Sequence, residues 1–236
     1  MKAAMPRQVA SSVYQLGLGF VNVFYVEDDE GGLWLIDTGV DAGAERVGGG
    51  LRALGRTPRE LRGVVITHLH GDHVGGLAAV KEHTGAEVWM QTEDAAALRE
   101  GVRGRTLEPG PGVARTLIVR VVGGRAAAST GDPIAVEHDV ADGDVLPFGA
   151  TVVGTPGHTE GHIALLLPRD GGVLFAGDAA TNLPRLGVGP VYEDIDEGMR
   201  SLRRLAGLQF ETALFSHGRP LTPRAAERFR ARFSGA

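Results

Sequence analysis

Apolar residues in this chain gather in short runs more often than in helical stripes. Residues 13–16, 20–26 and 33–36 are rich in Val, Leu, Ile, Phe, Tyr and Trp, and a polar stretch over 27–32 separates the last two. Runs of this length and composition predict strands. Residues 42–54 read as a helix, although Gly48, Gly49 and Gly50 weaken it. A buried strand over 64–67, a helix over 75–83, a strand over 87–90 and a helix over 93–100 follow. Residues 101–133 then change character, with seven glycines and three prolines around the apolar stretch 116–122. They read as a connection between two halves that could also carry a loop covering a site. The β pattern returns over 134–138, 145–148, 151–153, 163–167 and 173–175, before a helix over 195–206, a strand over 213–216 and a terminal helix over 224–233. Two β-rich halves, each followed by helices, predict an α/β chain with two packed sheets and helices on both outer faces. No repeat or boundary divides the pattern, so one domain over 1–236 is expected.

Composition narrows the chemistry. The chain has 236 residues, 43% hydrophobic and 22% charged, enough for a sizeable core. A net charge of −5 gives no support for a nucleic-acid surface. Cysteine is absent, which excludes disulfides and thiolate metal sites. Residues 1–10 hold no signal-like apolar stretch, and the longest apolar run is 163–167, far short of the roughly 20 residues that span a bilayer. The expectation is a cytoplasmic protein without a membrane partner.

The chemistry-bearing residues concentrate after the strand at 64–67. His68, His70, Asp72 and His73 place four metal-ligand candidates within six residues. Imidazole with carboxylate suits zinc, iron or manganese. On extended backbone His68 and His70 point to the same side, while Asp72 and His73 follow where the chain turns. One short segment can thus serve two adjacent metals. Further candidates recur at strand ends: His158 and His162 after 151–153, Asp178 after 173–176, and His217 after 213–215. His83 and His138 lie outside any motif and read as surface or core residues.

The segments Thr67-His68-Leu69-His70-Gly71-Asp72-His73, Gly157-His158-Thr159, Gly177-Asp178 and Ser216-His217-Gly218, preceded by Ile36-Asp37-Thr38-Gly39, resemble the ordered motifs of the metallo-β-lactamase superfamily. The resemblance runs from about residue 13 to residue 218. Ser216 departs mildly from it, since many members have glycine there. The resemblance implies a four-layer αββα sandwich with a two-metal site on one edge. It implies that His68, His70 and His158 hold one divalent ion, that Asp72, His73 and His217 hold a second, and that Asp178 bridges them. Zinc is expected, with iron or manganese as alternatives. Asp37 is expected to orient the ligand loop, and His162 either to support the ligands from behind or to hydrogen-bond backbone as a buried structural residue.

The reading that follows is a hydrolase of a small ester, thioester or lactone, in which a hydroxide bridging the metals is the nucleophile. Asp72 would orient that hydroxide or carry its proton, and Tyr192 would either reach the oxyanion or serve as a packing residue. The glyoxalase II and lactonase-like branches are favoured, although the chain has only about nineteen residues after His217 where glyoxalase II carries a helical domain. Alternatives are a mononuclear iron oxygenase of the persulfide dioxygenase type, its iron held among His68, His158 and Asp178; a hydrolase of phosphodiesters or β-lactams; and a non-catalytic metal-binding protein. Leu18, Phe20, Leu183, Leu186 and Val188 predict an apolar mouth and hence a small apolar substrate. Oligomeric state stays open, a homodimer included.

Overall fold

The computed structural model describes residues 5–40, 43–102 and 131–235. Seven strands form one mixed sheet in sequence order: β1 (Arg7–Ala10), β2 (Val13–Gly17), β3 (Asn22–Glu27), β4 (Leu33–Ile36), β5 (Leu61–Ile66), β6 (Glu87–Gln91) and β7 (His138–Val140). Neighbours are antiparallel up to β4 and parallel from β4 to β7. A second sheet pairs β8 (Thr151–Gly154), β9 (Ile163–Leu167), β10 (Val173–Phe175) and β13 (Thr212–Leu214), with β13 parallel to β10. A small hairpin, β11 (Thr181–Asn182) with β12 (Leu186–Gly187), stands apart.

Strand after strand is apolar on both faces, and the structure uses both. Successive side chains of a strand point to opposite sides. Phe24, Val26, Trp34, Ile36 and Val65 of the first sheet meet Ile163, Leu165, Val173 and Phe175 of the second in a shared core. The alternate residues Val23, Tyr25, Leu33, Leu35, Val64 and Ile66 face helices α1 (Gly43–Ala53), α2 (Gly71–Val74), α3 (Leu77–Thr84) and α4 (Thr92–Arg99). On the other outer side Ala164, Leu174 and Ala213 pack against Leu202 and Leu205 of α5 (Ile195–Ala206) and Phe229 and Phe233 of α6 (Ala225–Phe233). Three cores between four layers make the expected αββα sandwich. Each large side chain buried in them contributes about 1.5–3 kcal/mol.

Local departures have local causes. The glycine run does not end α1, because Gly50 is where the helix meets Tyr25: a Cβ there would lie 2.5 Å from the Tyr25 hydroxyl, which donates to the Val47 carbonyl. Residues 145–148 make a turn instead of a strand. Pro147 lacks an N–H, and Gly149 N–H closes on the Leu146 carbonyl at 2.8 Å while Leu146 and Phe148 stay buried between the sheets. Ile134 and Val136 join the helix-side core, but the strand itself starts at His138. The short β1, β11 and β12 are too brief to carry an apolar pattern and lie outside the expected set. The connection at 101–133 falls largely outside the described residues. Among the described residues no helix is long and apolar enough to cross a membrane.

Candidate metal centre

The C-terminal ends of β5, β8, β10 and β13 open on the same edge of the sandwich, where ligands of parallel-stranded sheets usually bind. His68 follows β5, His158 follows β8, Asp178 follows β10 and His217 follows β13. Backbone bonds tie these exits together across the sheets: Ile163 N–H to Thr67 O at 2.9 Å, Ser216 N–H to Gly177 O at 3.2 Å, and Thr38 N–H to His73 O at 2.8 Å. All seven residues expected as ligands meet there. Donor atoms within 4.8 Å of one another form three overlapping trios: His68, His70 and His158; His68, His73 and Asp178; and Asp72, His73 and His217.

Four of the five histidines, His68, His73, His158 and His217, are aimed by what holds the other nitrogen. His158 Nδ1–H donates to the Val191 carbonyl at 2.8 Å, so Nε2 carries the lone pair that faces inward. His217 Nδ1–H donates to the Phe20 carbonyl at 2.8 Å, and His73 Nδ1–H to Asp37 Oδ2 at 2.8 Å. The Thr67 hydroxyl donates to Asp37 at 2.9 Å, leaving its oxygen to accept from His68 Nδ1 at 3.0 Å. Buried Asp37, which also accepts the Thr67 N–H at 2.8 Å, thus orients two histidines. Its φ of 60° lies in the left-handed region, which an aspartate tolerates better than most residues.

The inward atoms leave a polar deficit that a cation relieves. His70 Nδ1 sits 3.1 Å from His68 Nε2 and 3.0 Å from His158 Nε2. A single proton on His70 can satisfy only one of those two lone pairs. These spacings are near the ~3.3 Å edge of a tetrahedron built on a zinc–nitrogen bond of about 2.0–2.1 Å. His73 Nε2 and Asp178 Oδ1 are buried without a hydrogen-bond partner among the described residues. Asp178 Oδ2 lies between the two groups, 3.5 Å from His158 Nε2, 3.8 Å from His73 Nε2 and 3.2 Å from His217 Nε2. Asp72 Oδ2 is 3.3 Å from His217 Nε2. The donor set is all imidazole and carboxylate, which suits divalent cations.

Charge divides the same way. Burial, then the neighbouring histidines, hold His68 well below the usual imidazole range; burial does the same to His70, and it also lowers His158. These three are neutral and ready to coordinate. Burial would depress His73 as well, but Asp37, Asp72 and Asp178 outweigh it and carry the ring up to about 9. His217 is likewise raised well above its ordinary value against burial by Asp178 and Asp72. Burial opposes ionisation of Asp72, yet His73 and His217 bring it down to about 2.

His162 is not a donor toward this centre. Its Nε2 accepts the Asp178 N–H at 3.0 Å, and its Nδ1 bonds the Thr155 hydroxyl at 2.7 Å, so it fixes the Asp178 loop. Tyr192 takes the packing role of its two alternatives. Its hydroxyl donates to the Ala179 carbonyl at 2.7 Å, and its buried ring packs edge-on against His158. It is a packing residue because the loop after Asp178 folds back onto α5. The apolar mouth also shrinks. Leu18 is in the helix-side core, and Leu186 and Val188 pack against the α5–α6 core. Phe20 and Leu183 remain, 61% and 67% exposed. The Phe20 ring lies parallel to His217, and Asn182, beside Leu183, donates its N–H to the His217 carbonyl. Sequence reading missed Asn22, whose amide donates to the Phe215 and Gly218 carbonyls at 3.0 Å each and clamps the His217 turn. No pattern signals it. His83 and His138 lie away from the centre as expected, His138 pairing with Glu87 at 2.7 Å and stacking on Trp89.

Known proteins share the sequence pattern and the fold of this chain. The family model described as the Metallo-beta-lactamase superfamily matches residues 16–217. The chain is similar to a hydroxyacylglutathione hydrolase of Cereibacter sphaeroides, 32% identical over 170 residues, 70% of this chain. It spans about half the length of that relative, 51%. It is also similar to the probable metallo-hydrolase YflN of Bacillus subtilis, 25% identical over 91% of this chain and 87% of the relative. Among solved structures, the MIM-2 metallo-beta-lactamase aligns with a TM-score of 0.70 at 25% identity, over 97% of this chain and 81% of its own.

Proposed function

The chain belongs to the metallo-beta-lactamase superfamily, and on that premise we propose that it is a two-metal hydrolase of a small ester, thioester or lactone. The observation that carries the proposal is the doubled donor set: one histidine trio and one Asp72–His73–His217 trio, with Asp178 Oδ2 between them. In this reading His68, His70 and His158 hold one ion, Asp72, His73 and His217 the other, and Asp178 both. Zinc is the divalent ion best suited to such a nitrogen-rich site. When bound, the ion pair supplies a nucleophilic water of lowered pKa and polarises the scissile carbonyl.

The chain's own residues supply orientation. Asp37, Thr67, Val191 and Phe20 keep the imidazoles turned inward, as metal sites require of their supporting residues. Asp72 is the most exposed member of the set, its side chain 25% accessible. As the carboxylate on the open side of the set, it would accept a hydrogen bond from the attacking water and orient it, or take its proton. Phe20 and Leu183 give the mouth an apolar rim beside His217, which favours an apolar acyl substituent. The name of the Cereibacter relative, a hydrolase of a hydroxyacyl-glutathione, supports cleavage at an acyl carbon.

The test is a hydrolysis panel on the metal-loaded chain, covering acyl lactones, apolar esters and charged glutathione thioesters. Chelator-sensitive turnover of the acyl substrates is expected, with His70→Ala inactive. Turnover that survives metal removal, or an active His70→Ala variant, refutes the site. Preference for glutathione thioesters refutes the apolar rim. Iron as the sole metal, with oxygen consumption, establishes the oxygenase instead.

A further inference from the structure

One buried carboxylate outside the donor set touches both chain segments that supply the histidine trio. Asp94 is fully buried in the first turn of α4. Its Oδ2 accepts the Leu69 N–H, between His68 and His70, at 2.9 Å. The same oxygen accepts the hydroxyl of Thr159, the residue after His158, at 3.1 Å. Topology explains the reach. β5 and β6 are parallel neighbours with Ile66 opposite Met90, so their chains leave the sheet side by side, one into the ligand loop and one into α4. The contact is tight: a Cβ on Gly161 would lie 2.6 Å from Asp94 Cγ and 2.6 Å from Gln91 Oε1.

An apolar side chain would fill this place without the cost of burying a charge. What the carboxylate adds is a single acceptor shared by two segments that are about ninety residues apart along the chain, as the separations of His70 and His158 indicate. We propose that Asp94 is a positioning residue that sets the spacing of His68, His70 and His158, and through it the affinity of that trio for a divalent cation. The proposal rests on the two-metal reading above. It predicts a selective effect, because the Asp72–His73–His217 group is held by Asp37, Phe20 and Asn22, none of which bonds Asp94.

The experiment is a chelator-competition titration of the metal-depleted full chain with Zn²⁺, using wild type, Asp94→Ala, Asp94→Asn and Thr159→Val. Leu98→Ala is the control, a fully buried core truncation on the same helix. Loss of a supporting partner weakens a metal site by about 10–100-fold. Asp94→Ala is expected to lose at least tenfold affinity for one of two ions and to keep the other. Thr159→Val shifts the same way by less. Asp94→Asn recovers most of the loss, since an amide oxygen accepts both bonds. Leu98→Ala lowers thermal stability without the affinity shift. Asp94→Ala affinities within threefold of wild type at both ions, or a loss matched by Leu98→Ala, overturn the proposal. If Asp94→Ala does not fold, unchanged affinities in Thr159→Val overturn it. A wild-type chain that takes up fewer than two ions refutes the two-metal reading and the proposal with it, whereas two ions in wild type with indifferent variants refute only the proposal.

Discussion

Asp37→Asn replaces one carboxylate oxygen with NH₂ and should disable one of the two proposed ion positions. The carboxylate accepts three hydrogens: Thr67 N–H at 2.8 Å, the Thr67 hydroxyl at 2.9 Å and His73 Nδ1–H at 2.8 Å. An amide keeps one acceptor. With its oxygen toward the Thr67 N–H, its NH₂ faces His73 Nδ1–H, donor against donor. Flipping the amide only moves the clash to Thr67. The ring relieves it by shifting its proton to Nε2, the buried atom that otherwise has no hydrogen-bond partner among the described residues and faces Asp72 and Asp178 at 3.8 Å. The inward lone pair is then gone, as in the wrong-tautomer effect known for buried Asp–His pairs. A hydrogen bond to a charged group contributes about 1.5–3 kcal/mol, which at about 1.4 kcal/mol per tenfold becomes a loss of roughly 10–150-fold in affinity. The loss should fall on the ion served by His73, while the His68–His70–His158 trio keeps its own, because the Thr67 hydroxyl that supports His68 still donates to Oδ1 at 3.0 Å. Zinc titration against a chromogenic chelator resolves the two steps. Equal losses at both steps, or none beyond threefold, would refute the tautomer argument.

Further outcomes follow from the same geometry. The metal-depleted chain should be most stable near neutral pH. His73, raised from 6.5 to about 9, contributes stability that is fully present below about 6.5 and lost as pH rises to about 9. His68, His70 and His162, depressed mainly by burial, must take up protons on acidification, so stability also falls as pH drops below 6.5. Thermal melts from pH 5 to 10 should pass through a maximum; a monotonic rise would contradict the first statement and a monotonic fall the second. Tyr192→Phe removes the hydroxyl that donates to the Ala179 carbonyl and accepts the Gly189 N–H, and should cost about 1–2 kcal/mol of stability while leaving kcat within a few-fold. A hundredfold fall in kcat without a stability change would return Tyr192 to the oxyanion role.

Most of the sandwich was legible because its strands carry their own signal. Val23 to Val26 and Leu33 to Ile36 are apolar at every position, which only a sheet buried on both faces requires, and the structure gives each face its own core. The donors were legible too, since imidazoles in dense motifs at strand ends have few other uses. Three kinds of feature were not. Leu18 reads as a rim residue, yet its side chain turns into the helix-side core, and local hydrophobicity does not encode direction at a loop. Tyr192 carries a hydroxyl that suits catalysis, but whether it meets substrate or the Ala179 carbonyl depends on how a distant loop closes. Asn22 and Asp94 hold the site through bonds to backbone far away in sequence, and such partners leave no trace in spacing.

The central claim is that two ion positions share one edge of the sandwich, built from separable donor groups. Zinc stoichiometry of the metal-depleted wild type, His70→Ala and His217→Ala, measured by equilibrium dialysis with elemental analysis, tests it most directly. Two ions per chain in wild type are expected, with one tight ion lost in each variant. One ion per chain in wild type, or two tight ions retained in either variant, would contradict it.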